Sequence, residues 1–281
     1  MTATVFTIVL FAAAIHAAWN ALINSSGDKY SATLGLAIGQ VPFAVGTLFF
    51  VPMPDWNCWP YLLGGTILHV AYYLLLQRSY QLGEFTQVYP IARGSAPLLT
   101  AVLATVFVGE HLGPIGWLAI GLIAIGLMSL VGVRRVDGIW NNSAAGLALM
   151  TGVFTAAYTV VDGIGARVAG TGFGFFAFLA MANAAVLIAV TEVRKLGTTS
   201  CILRERLKPS ITAGGASYAA FGLVIWAMMQ APIALVAALR ETSVIFGLVI
   251  GVVVLRETLN LRKLAATFMT ASGILLLRSA R

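Results

Sequence analysis

Two arginines offer the clearest chemistry in the sequence. Arg93 and Arg240 each lie inside an otherwise apolar run, YPIARGSAPLLTAVL and IALVAALRETSVIFGLV. A guanidinium is a rigid fork of donors that suits a carboxylate, phosphonate or phosphate. Two of them facing hydrocarbon would together cost about 5 to 7 kcal/mol, so they need a cavity or acidic partners. As a substrate site, the pair would hold an anion. As a purely structural device, each arginine would tie helices together through Glu241, Asp162 or backbone carbonyls. Glu241 follows Arg240 directly, and neighbours on a continuous helix point about 100° apart, so it is not expected to neutralise Arg240 on one face.

Other polar side chains fall at helical spacing. His16, Trp19 and Asn20 occupy i, i+3 and i+4 in HAAWN, so one face can either line a site or make interhelical hydrogen bonds. His69, Tyr72, Tyr73 and Leu76 follow the same spacing, with aromatic packing expected before cavity lining. Tyr158 and Asp162 form an i, i+4 pair, and Ala156-Ala157-Tyr158 echoes Ala17-Ala18-Trp19; solvation of Asp162 near a membrane edge is one reading of it. Tyr89, one turn before Arg93, can share its anion or brace it, while Pro90 and Pro97 free carbonyls and bend the helix. The expected substrate-contact set is Arg93, Arg240, Tyr89, His16, Trp19, Asn20, His69, Tyr73, Tyr158 and Glu241. The candidate proton carriers are Asp162, Glu241, His16 and His69. Histidines at 16, 69 and 111, with no HExxH, CxxC pair, P-loop or Ser/His/Asp arrangement, give no reason to expect a metal, cofactor or catalytic centre.

The elements that must position these residues follow from composition. Of 281 residues, 59% are hydrophobic and 10% charged, against about 25% charged in a soluble domain. A mean hydropathy of +0.92 leaves too little polar surface for a water-facing globule. At roughly 20 apolar residues per crossing, the chain holds about ten membrane helices and no soluble catalytic domain. They are expected near 3–23, 33–53, 60–81, 86–108, 113–132, 144–164, 171–191, 210–230, 232–255 and 261–278. The fold expected is therefore all-α and integral to the membrane. The net charge of +7 sits mostly in short connections, which fits the positive-inside rule and not nucleic-acid binding. The expected partners are the bilayer and a small molecule. Met1 to Val5 carries no Lys or Arg, so the first apolar run is expected to be a retained helix and not a signal peptide. Cys58 and Cys201 fall in connections on opposite sides, and no disulfide is expected.

Sliding the sequence on itself by 147 residues, without a gap, places Arg93 on Arg240, Glu110 on Glu257, Leu112 on Leu259, Ala119 on Ala266 and Gly126 on Gly273. Apolar composition explains the alanine and leucine matches. It does not explain an arginine and a glutamate kept 17 residues apart in both copies. The chain thus divides into repeats 1–137 and 138–281. Five helices are an odd number, so the two repeats are expected to insert with opposite orientation. Glu110 and Glu257 sit at helix ends, where fixing the turn between helices is their expected role.

At these residues the sequence resembles the drug/metabolite transporter superfamily, in its ten-helix branch with two EamA-like domains. The likeness rests on Gly109-Glu110-His111-Leu112, Arg256-Glu257-Thr258-Leu259 and the Gly126 and Gly273 helices. His16-Ala17-Ala18-Trp19-Asn20 also resembles a subset associated with phosphonate utilisation. The resemblance implies export or exchange of small metabolites by alternating access, with a central cavity lined by helices 1, 3, 4, 6, 8 and 9. A small anionic metabolite, such as a phosphonate or related organic acid, is the expected substrate. The expected location is a bacterial inner (plasma) membrane. The rival is an integral-membrane enzyme acting on a lipid phosphate head group, where paired arginines would also serve.

Basic residues divide unequally between the two faces. Twelve, among them Lys29, Arg78, Arg134, Arg135 and the cluster Arg194 to Lys208, fall on one face, and Arg167, Arg278 and Arg281 on the other. That distribution predicts both termini outside, whereas the family resemblance implies both in the cytoplasm. A C-terminal reporter active only in the cytoplasm should stay dark under the first rule and report under the second.

Overall fold

The computed structural model describes residues 1–24, 29–131, 141–253 and 261–279, and among them there is no strand. The helices are α1 (Ala3–Asn24), α2 (Lys29–Leu48), α3 (Trp59–Leu82), α4 (Phe85–Leu103), α5 (Pro114–Met128), α6 (Asn142–Ala169), α7 (Gly172–Arg194), α8 (Thr198–Glu205), α9 (Leu207–Gln230), α10 (Ile233–Arg240), α11 (Ser243–Val253) and α12 (Leu261–Ser279). Among the described residues, eight segments are long and apolar enough to cross a membrane: those of α1, α2, α3, α4, α6, α7 and α9, and the joint span Ile233–Val253. The chain is an all-α integral membrane protein.

Several boundaries depart from the sequence expectation for local reasons. The second helix, expected over 33–53, ends at Leu48, and the chain beyond it runs through Pro52 and Pro54 without helical structure. The sixth, expected over 144–164, continues to Ala169, where Gly170 at φ 68° closes it. Its start is set by Asn141, whose side chain accepts from the Ala144 amide at 3.1 Å. The connection from Glu192 to Lys208 contains α8, whose first turn is held by Glu192 accepting from the Gly197 and Thr199 amides at 2.7 Å each. The ninth, expected unbroken over 232–255, is divided into α10 and α11. At Glu241 and Thr242 the amides bond three residues back, to Ala238 and Leu239, which tightens the chain into a turn. Residues 254–260, including Glu257, lie outside the described residues.

Helix α4 holds Pro90 and Pro97 and ends in a π-helical turn, Ala104–Val108. Gly109 at φ 72° terminates it, a left-handed conformation that carries little cost only for glycine.

Helices α3 and α4 both pack on α6, α1 packs on α9, α10 and α11, α2 on α7, and α5 on α12. Small residues allow the close approach that drives helix association in lipid. At the α5–α12 crossing, a Cβ on Gly126 would meet Thr270 Oγ1 at 2.5 Å and the Ala266 carbonyl at 3.0 Å, while one on Gly273 would meet the Ala119 carbonyl at 2.7 Å and Ile123 Cγ1 at 2.7 Å. Contact positions rise along α5 as they fall along α12, so the two helices run antiparallel. Gly273→Leu should force them apart and cost about 1–3 kcal/mol. Thermal unfolding of the purified protein should show a lowered Tm, and an unchanged Tm would mean that the crossing is not close-packed.

Candidate functional site

The break between α10 and α11 sets the centre of the site. Arg240 ends α10, and the turn that follows swings Glu241 back towards it, so Arg240 Nη2 stands 3.4 Å from Glu241 Oε1. Arg93 Nη1, from α4, stands 3.5 Å from the same oxygen. The expectation that Glu241 points away from Arg240 is thus overturned, because the 100° rule holds only for an unbroken helix. Arg240 and Glu241 are 4% and 1% exposed, which places both charges out of reach of solvent.

Helix α1 supplies the next layer. Arg93 Nη2 lies 3.3 Å from His16 Nε2. A guanidinium has no acceptor, so the histidine nitrogen must receive the hydrogen bond. The His16 ring packs edge-on to Trp19 at 4.8 Å and to Phe221 of α9 at 5.7 Å. Arg240 lies 5.8 Å from the Phe221 ring centre, and Arg93 lies 5.9 Å from that of Tyr89. These distances suit cation–π attraction. Four buried polar atoms here have no hydrogen-bond partner among the described residues: Trp19 Nε1, Arg240 Nε, Glu241 Oε2 and Thr242 Oγ1.

A second polar cluster joins α3 to α6. His69 Nε2 contacts Asp162 Oδ2 at 2.7 Å, the Tyr158 ring stacks on His69 at 4.0 Å, and Tyr72 packs edge-on to Tyr158 at 5.5 Å. Asp162 is 2% exposed, so neither solvation at a membrane edge nor pairing with an arginine describes it. Gly65 makes room, since a Cβ there would meet Asp162 Oδ1 at 2.6 Å.

A third cluster joins connections at one end of the molecule. Glu110, just beyond α4, accepts from the amides of Ile233 at 2.7 Å and Ala234 at 3.1 Å, and from Arg167 of α6 at 3.0 Å. Arg167 also donates to the carbonyls of Met228 and Ala231. Glu110 therefore does not fix its own turn. It caps α10, a helix 123 positions away, where a carboxylate meets the orphan amides and the positive end of the dipole.

The structure brings together Arg93, Arg240, Glu241, His16 and Trp19, with Tyr89 beside Arg93. His69 and Tyr158 belong to the neighbouring cluster with Asp162. Asn20 donates to the His16 carbonyl at 3.0 Å, a bond within its own helix. Tyr73 packs among Leu34, Val70, Ala184 and Leu187, and it is Tyr72 that meets Tyr158. Phe221 escaped the sequence reading, although Tyr218 and Phe221 repeat the i, i+3 aromatic spacing of His16 and Trp19. A cavity of about 580 Å³ lies at the α3–α4 turn, lined by Gln81, Leu82, Gly83, Glu84 and Asn141 to Ser143.

These features define an integral membrane protein with a cation-rich centre enclosed by helices. No protein-family model matches the chain, and no curated protein matches it in sequence. The fold is similar to those of solved structures, among them a protein crystal structure with a TM-score of 0.71 and 17% identity over 97% of this chain and 94% of the other. At that identity the likeness is one of fold alone.

The Glu110 cap yields a direct expectation. Glu110→Gln removes charge-assisted hydrogen bonds of about 1.5–3 kcal/mol. Amide exchange at Ile233 and Ala234 should quicken about tenfold to a hundredfold, and Tm should fall. Unchanged exchange at both amides would mean that the cap does not hold α10.

Proposed function

We propose that the chain is a secondary transporter, an exporter or exchanger, of a small anionic organic metabolite. The observation that carries this reading is the pair of arginines from α4 and α10 converging on one carboxylate within the membrane span. A structural ion pair with arginine is expected to be bidentate, at about 2.7–2.9 Å. The contacts here are single and long, 3.4 and 3.5 Å, and Arg240 Nε is unspent. A group that must be given up to a substrate anion suits such loose contacts.

The same reading treats the fold as ten membrane helices in two inverted repeats, 1–137 and 138–281. Supporting it, the positions that Gly126 meets, 266 and 270, are those that Gly273 meets, 119 and 123, displaced by the 147-residue repeat. A twofold relation between the two antiparallel helices fits that reciprocity. The packing of α3 on α6 and of α1 on α9 matches it, with α9 as the counterpart of α3. In this reading α10 and α11 together are the counterpart of α4, and α12 that of α5. Inverted repeats allow alternating access around a central site, and a broken helix at that site is a recurrent feature of such carriers. The arrangement fits the ten-helix EamA-like branch of the drug/metabolite transporter superfamily in a bacterial inner membrane. A phosphonate or related organic acid is the proposed substrate.

Transport into proteoliposomes, with a panel of organic anions, tests the reading. Arg93→Lys or Arg240→Lys keeps charge but loses the planar fork, so transport should fall while insertion survives. Arg93→Gln or Arg240→Gln should weaken anion binding about tenfold to a hundredfold, the equivalent of a contact of about 1.5–3 kcal/mol. Unaltered anion binding in a stable Arg93→Gln, Arg240→Gln protein would overturn it.

A further inference from the structure

The inventory of charge at the centre is unequal. Two guanidinium groups, Arg93 and Arg240, meet a single carboxylate oxygen, Glu241 Oε1. His16 adds a lone pair and no charge, because it accepts from Arg93. The nearest other carboxylate, Asp162, is engaged by His69 at 2.7 Å. Tyr89 of α4, Tyr72 of α3 and Tyr158 of α6 complete the surroundings. The 147-residue register sharpens the inequality: Arg93 corresponds to Arg240, but the counterpart of Glu241 is Gly94, which has no side chain. The cations are duplicated and the anion is not. Arg93, Arg240 and Glu241 as a set therefore carry one positive charge in excess, with buried donors at Arg240 Nε and Trp19 Nε1 still unspent.

We infer that Glu241 is the specificity-determining residue for substrate charge: it stands as a built-in first anion, and the site is completed by a substrate bearing one negative charge. This rests on the transporter reading of the same arginines. A singly charged anion brings the buried centre to neutrality, the condition under which ions are tolerated in a low dielectric. A doubly charged anion overshoots it and is held off by Glu241. Specificity then comes from a repulsive element as much as from an attractive one.

The test is binding to the full-length purified protein of carboxylates that share a hydrocarbon skeleton and differ by one carboxylate: propionate against succinate, and benzoate against phthalate. Wild type should favour the monocarboxylate of each pair at least tenfold. Glu241→Gln leaves two positive charges and should reverse the preference in favour of the dicarboxylate. Arg240→Gln, Glu241→Gln restores a single positive charge and should restore the monocarboxylate preference, a result that mere disruption of the site would not give. The double variant buries no uncompensated second cation, so it carries the test if Glu241→Gln fails to fold. A Glu241→Gln protein that binds both members of each pair in the wild-type ratio would overturn the inference while leaving the anion site intact, as would a double variant that prefers the dicarboxylates. Wild type that binds none of the four, nor any phosphonate or organic acid of the transport panel, would instead overturn the transporter reading itself.

Discussion

Ionised groups are expelled from hydrocarbon unless they are paired, and the centre of this protein is organised around three that are only partly paired. Arg240 and Glu241 are buried among the helices and Arg93 is partly so, and removing one partner from a buried ion pair typically costs about 3–5 kcal/mol. Everything near them reads as compensation. His16 accepts from Arg93, and Tyr89 and Phe221 present ring faces to the two guanidinium groups. The break after Arg240 is part of the same solution, since an unbroken helix would carry Glu241 away from both arginines.

That break has its own support at the far end of α10. A helix of eight residues is too short to be stable alone, and the first amides of α10, like those of any helix, have no partner inside it. Glu110 supplies the missing acceptor, and Arg167 binds Glu110 to the carbonyls at the end of α9. The Asp55 amide donates to the Ala169 carbonyl close by, so this end of the molecule is laced by side chains and backbone from several connections. The cavity beside Glu84 and Asn141 lies at the α3–α4 turn instead. Charge at the centre and capping at the end thus act on one short helix, which links the Arg93–Glu241–Arg240 cluster to the connections.

The α5–α12 pair serves a different purpose. Its contacts are backbone against glycine, and residues such as Leu118, Ile125 and Phe268 on its outer surfaces are exposed, as lipid-facing side chains should be. No charged side chain joins these two helices to the centre among the described residues. They brace the bundle without adding to the site.

Much of this was legible in the sequence because it follows from one-dimensional regularities. Composition determined the all-helical membrane class, apolar runs located most of the helices within a few residues but missed α8 and the break after Arg240, and a register of 147 residues set Arg93 beside Arg240 and Gly126 beside Gly273. Helical spacing correctly grouped His16 with Trp19. What the sequence could not determine was the direction of side chains once the helix departed from regularity. The partner of Asp162, the capping of α10 by Glu110 and the choice of Tyr72 over Tyr73 each depend on which faces of distant helices meet. Glu241 is the clearest case: local periodicity turns it away from Arg240, and only the tertiary structure, by breaking the helix at that residue and bringing α4 alongside, places one carboxylate between two arginines that lie 147 positions apart.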